Sequence, residues 1–301
     1  MTALAVLADQ AVAADQAAAF DPQLALILAA VAAPAWIFVA GRLLGHRQPL
    51  EYEGRLPVPW NGIDVVAICA LSFVLQALIP LAGLRLQGFE LPQGGKLPDG
   101  SEMAVLIGKA IAGVGSFAFG AVWLVVRAGA GREALGWTLG RWRHDLTAGL
   151  IAATFIIPPV LAVQSVVTSI MPSEHPLIKL IKENRDLLSV VSVLAVFVAP
   201  LFEEFLFRVV LQGWLEKAEQ TLRRKNRGML QFPRGVWPIL LSSIVFAAAH
   251  FNHGADPLPL FLFSLVLGYL YHQTHRFWPS LLLHMALNGL TASLLWIMTS
   301  K

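Results

Sequence analysis

The chain has 301 residues, 56% of them hydrophobic and only 14% charged, against roughly 25% charged in a soluble domain. That composition, with a mean hydropathy of +0.65, argues against a water-soluble enzyme and leaves little length for a separate soluble domain. The net charge of +3 reads as loop orientation and not as a nucleic-acid surface, and a single cysteine, Cys69, excludes an internal disulfide or a cysteine-based metal cluster.

The opening MTALAVLADQAVAADQ holds an AVAA stretch that loosely resembles a signal-peptidase site. Asp9 and Asp15 interrupt it and no basic region precedes it, so it reads as a short mature N-terminus. Apolar stretches near ~20 residues mark spanning helices. Eight are expected, at 24–44, 61–83, 103–126, 146–170, 188–214, 236–252, 257–273 and 278–298. Lipid offers no partners for open backbone groups and no barrel-like alternation is present, so the expected class is all-α. The expected architecture is a polytopic integral membrane protein of about eight transmembrane helices. It forms one domain over 1–301, with a motif-bearing core at 188–298 and the active site in the bundle interior.

Before the fourth span, GREALGWTLGRWRHDL mixes Trp137 and Trp142 with Arg132, Arg141 and Arg143, the pattern of a segment lying in the membrane interface. The basic loop EKAEQTLRRKNRGMLQFPR after the fifth span reads as a cytoplasmic anchor against anionic lipid. Most Lys and Arg fall in the loops after the first, third, fifth and seventh spans. Those loops are therefore expected in the cytoplasm, with both termini outside. The short sixth and seventh spans flank HFNHGADPLP, a Pro- and Gly-containing link that suggests a helical hairpin. His253 there is expected to be a plain loop residue, and His272 and His275 to sit at the headgroups.

Ionisable groups inside a span are costly and need partners. The fifth span carries Glu203, Glu204 and Arg208 within PLFEEFLFRVVLQGW. Glu204 and Arg208 are four apart and can pair on one face. Glu203 points about 100° away around the helix and has no local partner. The sixth span places Phe246 and His250 four apart; the eighth places His284 and Asn288 four apart, with Ser280 a turn earlier. Each pair alone fits helix packing as well as chemistry. Together, one carboxylate, two histidines and an asparagine can meet in a cavity open to the cytoplasm. They would supply a base for water, a histidine to support it and donors for an oxyanion.

These residues also resemble the three motifs of the CPBP family, the CAAX prenyl protease type 2 and bacteriocin-processing (Abi) membrane proteases: EExxxR, FxxxH and HxxxN. They stand here as Glu203-Glu204…Arg208, Phe246…His250 and His284…Asn288. The resemblance implies an intramembrane glutamate protease in which Glu203 is the general base and His250 orients the water with it. His284 and Asn288 would form the oxyanion hole, while Glu204, Arg208 and Phe246 shape the site. It implies no cofactor. One glutamate and two histidines (Glu203, His250, His284) could also make a zinc set, but the nearby charge of Arg208 opposes a metal there. The expected substrate is a peptide or a lipidated or membrane-anchored protein, cleaved in a bacterial inner (plasma) membrane, and no nucleic-acid partner is expected. The alternatives are a non-enzymatic immunity or scaffold protein and a proton-coupled transporter.

Overall fold

The computed structural model describes residues 22–92, 97–171, 184–225, 232–251 and 257–299. The N-terminal stretch, His253 and part of the basic loop after the fifth span lie outside the described residues. Eight helices run through the rest: α1 Pro22–Leu44, α2 Gly62–Leu86, α3 Glu102–Ala128, α4 Trp142–Ile170, α5 Arg185–Lys225, α6 Val236–Ala248, α7 Pro257–Thr274 and α8 Phe277–Thr299. Each coincides with an expected span, and no strand occurs among the described residues. The count of spans differs from the expected eight. Among the described residues, six helices are long and apolar enough to cross a membrane; α7 is not among them, and α6 is a shorter apolar helix. At 13 residues, α6 covers about 20 Å at 1.5 Å per residue, short of a ~30 Å hydrocarbon core.

Outward-facing residues are apolar: Ile63, Val66 and Phe73 on α2, Ile111 and Val122 on α3, Leu150 on α4, Ile244 on α6. That surface suits lipid, where packing and not water exclusion holds helices together. Small residues therefore mark the close crossings. A Cβ at Gly108 of α3 would lie 2.6 Å from Pro80 Cα of α2, and one at Gly120 2.6 Å from the Phe205 ring of α5.

Helix α5 is central, packing against α2, α3, α6, α7 and α8, while α4 backs α7 and α8 and is covered by α1. One core joins Ile68, Leu124, Phe205, Val209, Tyr271 and Phe277; a second joins Ile156, Val160, Phe263, Leu267, Leu283 and Leu287.

The segments expected on the cytoplasmic side meet at one end of this bundle. Lys217 donates to Trp60 O (2.7 Å), Arg141 pairs with Glu53 (2.7 Å), and Arg276 bonds Glu53 and Asp145 (2.6 Å to Asp145 Oδ1). Burial alone would raise the Glu53 carboxyl, but the hydrogen bonds and charges of Arg276 and Arg141 hold it below its ordinary value. Trp142 is exposed, as an interfacial ring should be, with the Arg143 guanidinium over it; Trp137 instead packs onto Phe117 and Phe205.

Candidate active site

Helix α5 is not a regular α-helix where the glutamates sit. The α-helical turn Ala199–Glu204 is flanked by π-helical stretches, Leu194–Val198 and Phe205–Gln212. Such turns recur at functional sites, and here the sequence supplies a reason. The Ala199 N–H bonds Leu194 O in the i→i−5 pattern. The next donor in that pattern, for Ala195 O, would be residue 200, a proline with no N–H. A buried carbonyl needs a partner, and Asn288 of α8 supplies it: its Nδ2 donates to Ala195 O at 2.7 Å. One N–H of the amide is spent in this way and the second is left for other use.

Glu204 and Arg208 are both wholly buried, with Oε2 and Nε 3.4 Å apart. This is a charge contact and not an aligned hydrogen bond, since neither atom has a hydrogen-bond partner. Each group is held by other helices. Arg208 donates to Ser264 Oγ of α7 (2.7 Å) and Ser242 Oγ of α6 (3.3 Å), and its guanidinium lies 5.4 Å from the Phe246 ring centroid. Glu204 Oε1 is 2.9 Å from His284 Nδ1 of α8. The pairing expected from spacing is therefore present, but Glu204 has a second task that spacing did not reveal.

Glu203, the residue without a partner on its own helix, meets both histidines. Its Oε2 lies 4.0 Å from His250 Nε2 and 3.7 Å from His284 Nε2. These separations are too long for hydrogen bonds and suit a bridging water. Glu203 is 20% and His250 15% exposed on the side chain, so the carboxylate is reachable where Glu204 is not.

The local chain fixes how His250 presents itself. Helix α6 ends at Ala248, two residues before His250, and not at 252 as expected. The His250 N–H bonds Ala247 O, which releases Phe246 O; the His250 ring takes it, with Nδ1 2.8 Å away. A carbonyl only accepts, so Nδ1 carries the proton and Nε2 faces Glu203 as a lone pair. His284 is set the same way: its Nδ1 carries a proton and donates to Glu204 Oε1. A donor role at Nε2 then requires both ring nitrogens to be protonated, a charge that Glu203 and Glu204 can balance. Phe246, fully buried, packs on His250, His284 and Phe207 with centroid separations of 4.9, 5.9 and 5.1 Å.

Six of the seven residues singled out in the sequence thus meet in one cluster, Glu203, Glu204, Arg208, Phe246, His250 and His284, while Asn288, one turn beyond His284 on α8, bonds Ala195 O. Two further polar residues on the same face of α5 had been passed over. Gln212 donates to Gly268 O (2.8 Å) and to Glu216 Oε1 (3.2 Å), and accepts from Ser242. Glu216 binds His272 and His275, so both histidines, at the end of α7 and in the link after it, are paired with a carboxylate. The four-residue interval Glu204, Arg208, Gln212, Glu216 was the available signal.

Comparison with known proteins bears on the same segment. Residues 185–290 match the family model described as Type II CAAX prenyl endopeptidase Rce1-like. No curated protein and no solved structure matches the chain.

Proposed function

We propose that the chain, whose residues 185–290 match the Type II CAAX prenyl endopeptidase Rce1-like family model, is an intramembrane endopeptidase whose base is Glu203. One observation carries this reading: the Glu203 carboxylate faces Nε2 of both His250 and His284, at distances that fit a water.

A water held there gives one proton to Glu203 while its other hydrogen points at the His250 lone pair. Its oxygen adds to the carbonyl carbon of the scissile peptide bond. The resulting oxyanion is held by His284 Nε2–H and by the second N–H of Asn288. Collapse breaks the C–N bond, and Glu203 returns its proton to the leaving amine. Glu204 holds the His284 ring through Nδ1, Arg208 balances Glu204, and Phe246 excludes water from behind both rings. No cofactor enters these steps.

The substrate proposed is a peptide or a lipidated or membrane-anchored protein, reached from within the bilayer. The basic end formed by Arg55, Arg141, Lys217 and Arg276 supports a cytoplasmic placement of that end, in an inner membrane with both termini outside. The test compares wild type with Glu203→Gln, expressed equally in the native host, by mass spectrometry of membrane-protein and peptide termini. New termini should occur with wild type alone. Identical termini, together with partner capture by the Gln variant, would overturn proteolysis in favour of a binding protein.

A further inference from the structure

A second cluster lies at the basic end of the bundle and has no part in the proposed hydrolysis. Glu216 of α5 points its two carboxylate oxygens at two rings: Oε1 is 3.1 Å from His272 Nδ1 and Oε2 is 3.0 Å from His275 Nε2. Glu216 and His275 are about 5% exposed or less, and His272 is 12% exposed on its side chain. One ligand atom from each residue lies within 4.8 Å of the others, a set of three found at this position among the described residues.

The His275 ring is oriented as a metal ligand would be. His275 Nδ1 is 2.7 Å from the backbone carbonyl of Glu53. That oxygen can only accept, so Nδ1 carries a hydrogen. In the neutral ring Nε2 is then a lone pair, and it faces a carboxylate oxygen. Either a proton or a bound cation can bridge these two atoms, 3.0 Å apart. Arg55 does not fill the gap: its Nη2 stands 3.7 Å from Oε2 and makes no hydrogen bond. A metal-ligating histidine has this same arrangement, with one nitrogen on the metal and the other N–H fixed by a backbone carbonyl. His275 also holds a left-handed backbone, φ +50°. That conformation is costly for a residue with a Cβ, and it persists where the surroundings over-determine it.

We propose that Glu216, His272 and His275 bind a divalent transition-metal ion of the zinc class. One carboxylate and two imidazoles suit that class, and donors held about 2.0–2.1 Å from a tetrahedral ion stand roughly 3.3 Å from one another, near the 3.0–3.1 Å spacings found here. The ion would displace the shared protons and tie α5 to the end of α7. The Glu203, His250 and His284 atoms form a separate set beside Glu204, at the opposite end of the polar run along α5. Gln212 connects the two sets, bonding Glu216 on one side and, through Ser242, Arg208 on the other.

The experiment uses the full chain in detergent, free of any polyhistidine tag, stripped with chelator and dialysed against Zn²⁺ or Co²⁺. Expected are one zinc per chain, a higher melting temperature with zinc, and visible d–d absorption with cobalt. Glu216→Gln, which keeps the side-chain shape, and the double variant His272→Ala/His275→Ala should weaken binding by more than about 100-fold, since losing a ligand costs more than losing an outer partner. His250→Ala should keep its one zinc, which separates this site from the catalytic set. Arg55→Met should tighten binding by removing a competing charge. Wild-type protein that binds neither ion above a detergent blank overturns the proposal, and a proton then fills the gap. So does zinc that is lost from His250→Ala and retained by Glu216→Gln. The wild-type cobalt spectrum decides the matter even if a variant fails to fold.

Discussion

Replacing Arg208 with Met removes a charge from a site where neither partner touches solvent. Met fills similar volume without a charge, so the loss is mainly electrostatic. At 3.4 Å and an effective dielectric near 20, the Glu204–Arg208 attraction is about 5 kcal/mol. Removing one partner of a buried pair costs about 3–5 kcal/mol, because the other charge is left uncompensated. Lost bonds to Ser264 and Ser242 act in the same direction. The expected destabilisation of Arg208→Met is therefore about 3–5 kcal/mol, read from unfolding in SDS–detergent mixtures and from folded yield. A double-mutant cycle isolates the pair. Glu204→Gln/Arg208→Met should recover most of that loss, since no unpaired charge remains. It should not recover turnover, because a neutral Gln no longer anchors His284 as the carboxylate does. An Arg208→Met protein within ~0.5 kcal/mol of wild type, or a coupling energy below ~1 kcal/mol, would refute the assigned pair.

Glu203→Gln should lower kcat by about 10²–10⁴-fold, the range for loss of a general base, with melting unchanged because Glu203 is partly exposed and makes no hydrogen bond to another helix; equal turnover would reject its role. Pro200→Ala restores an N–H that competes for Ala195 O, so Asn288 should loosen and kcat fall roughly tenfold, the worth of one hydrogen bond of about 1–1.5 kcal/mol; a variant with full kcat would sever the link between the π turn and Asn288. Stability should also vary with acid through Glu53. Its folded pKa is lowered, so its contribution is fully present above the unfolded value of about 4.3 and is lost as pH falls through the lower folded value. Glu53→Gln should melt below wild type at pH 6–7 and converge on it near pH 3; parallel curves across that range would count against the Arg276 and Arg141 contacts.

Positions of the helices were legible because a ~20-residue apolar run is a strong signal in a chain of this composition. Which runs cross the membrane was less legible: α6 is as apolar as its neighbours but stops at Ala248. Six polar site residues were legible because each is expensive in lipid, and Phe246 through its i,i+4 spacing from His250. The histidine settings were not. His250 takes its tautomer from a helix end whose position depends on tertiary packing. His284 takes its orientation from Glu204, 80 residues away, a distance at which no spacing rule applies. Glu216 was missed because the fifth span was ended at residue 214, which left it to the loop, and Gln212, inside that span, carries no charge to mark it. The π turns were foreshadowed only by Pro200 and Asn288, neither of which signals the other without the fold.

The same residues that build the site also assemble the bundle. Along α5, Glu204 reaches α8, Arg208 reaches α6 and α7, Gln212 reaches α7 and α6, and Glu216 reaches α7 and the link after it. In lipid these contacts are what polar groups can offer toward a specific helix arrangement, since apolar faces are equally content against acyl chains. Charge alternates along the spine, with Arg208 between Glu204 and Glu216, so the buried charges compensate one another. Substitutions on this face therefore change stability and turnover together. Glu203 stands apart: it is a turn of about 100° off the spine, reachable, and bonded to no neighbouring helix. A loss of activity at Glu203 with folding intact, set against joint losses at Glu204 and Arg208, is the pattern that separates a residue placed for chemistry from residues that hold it in place.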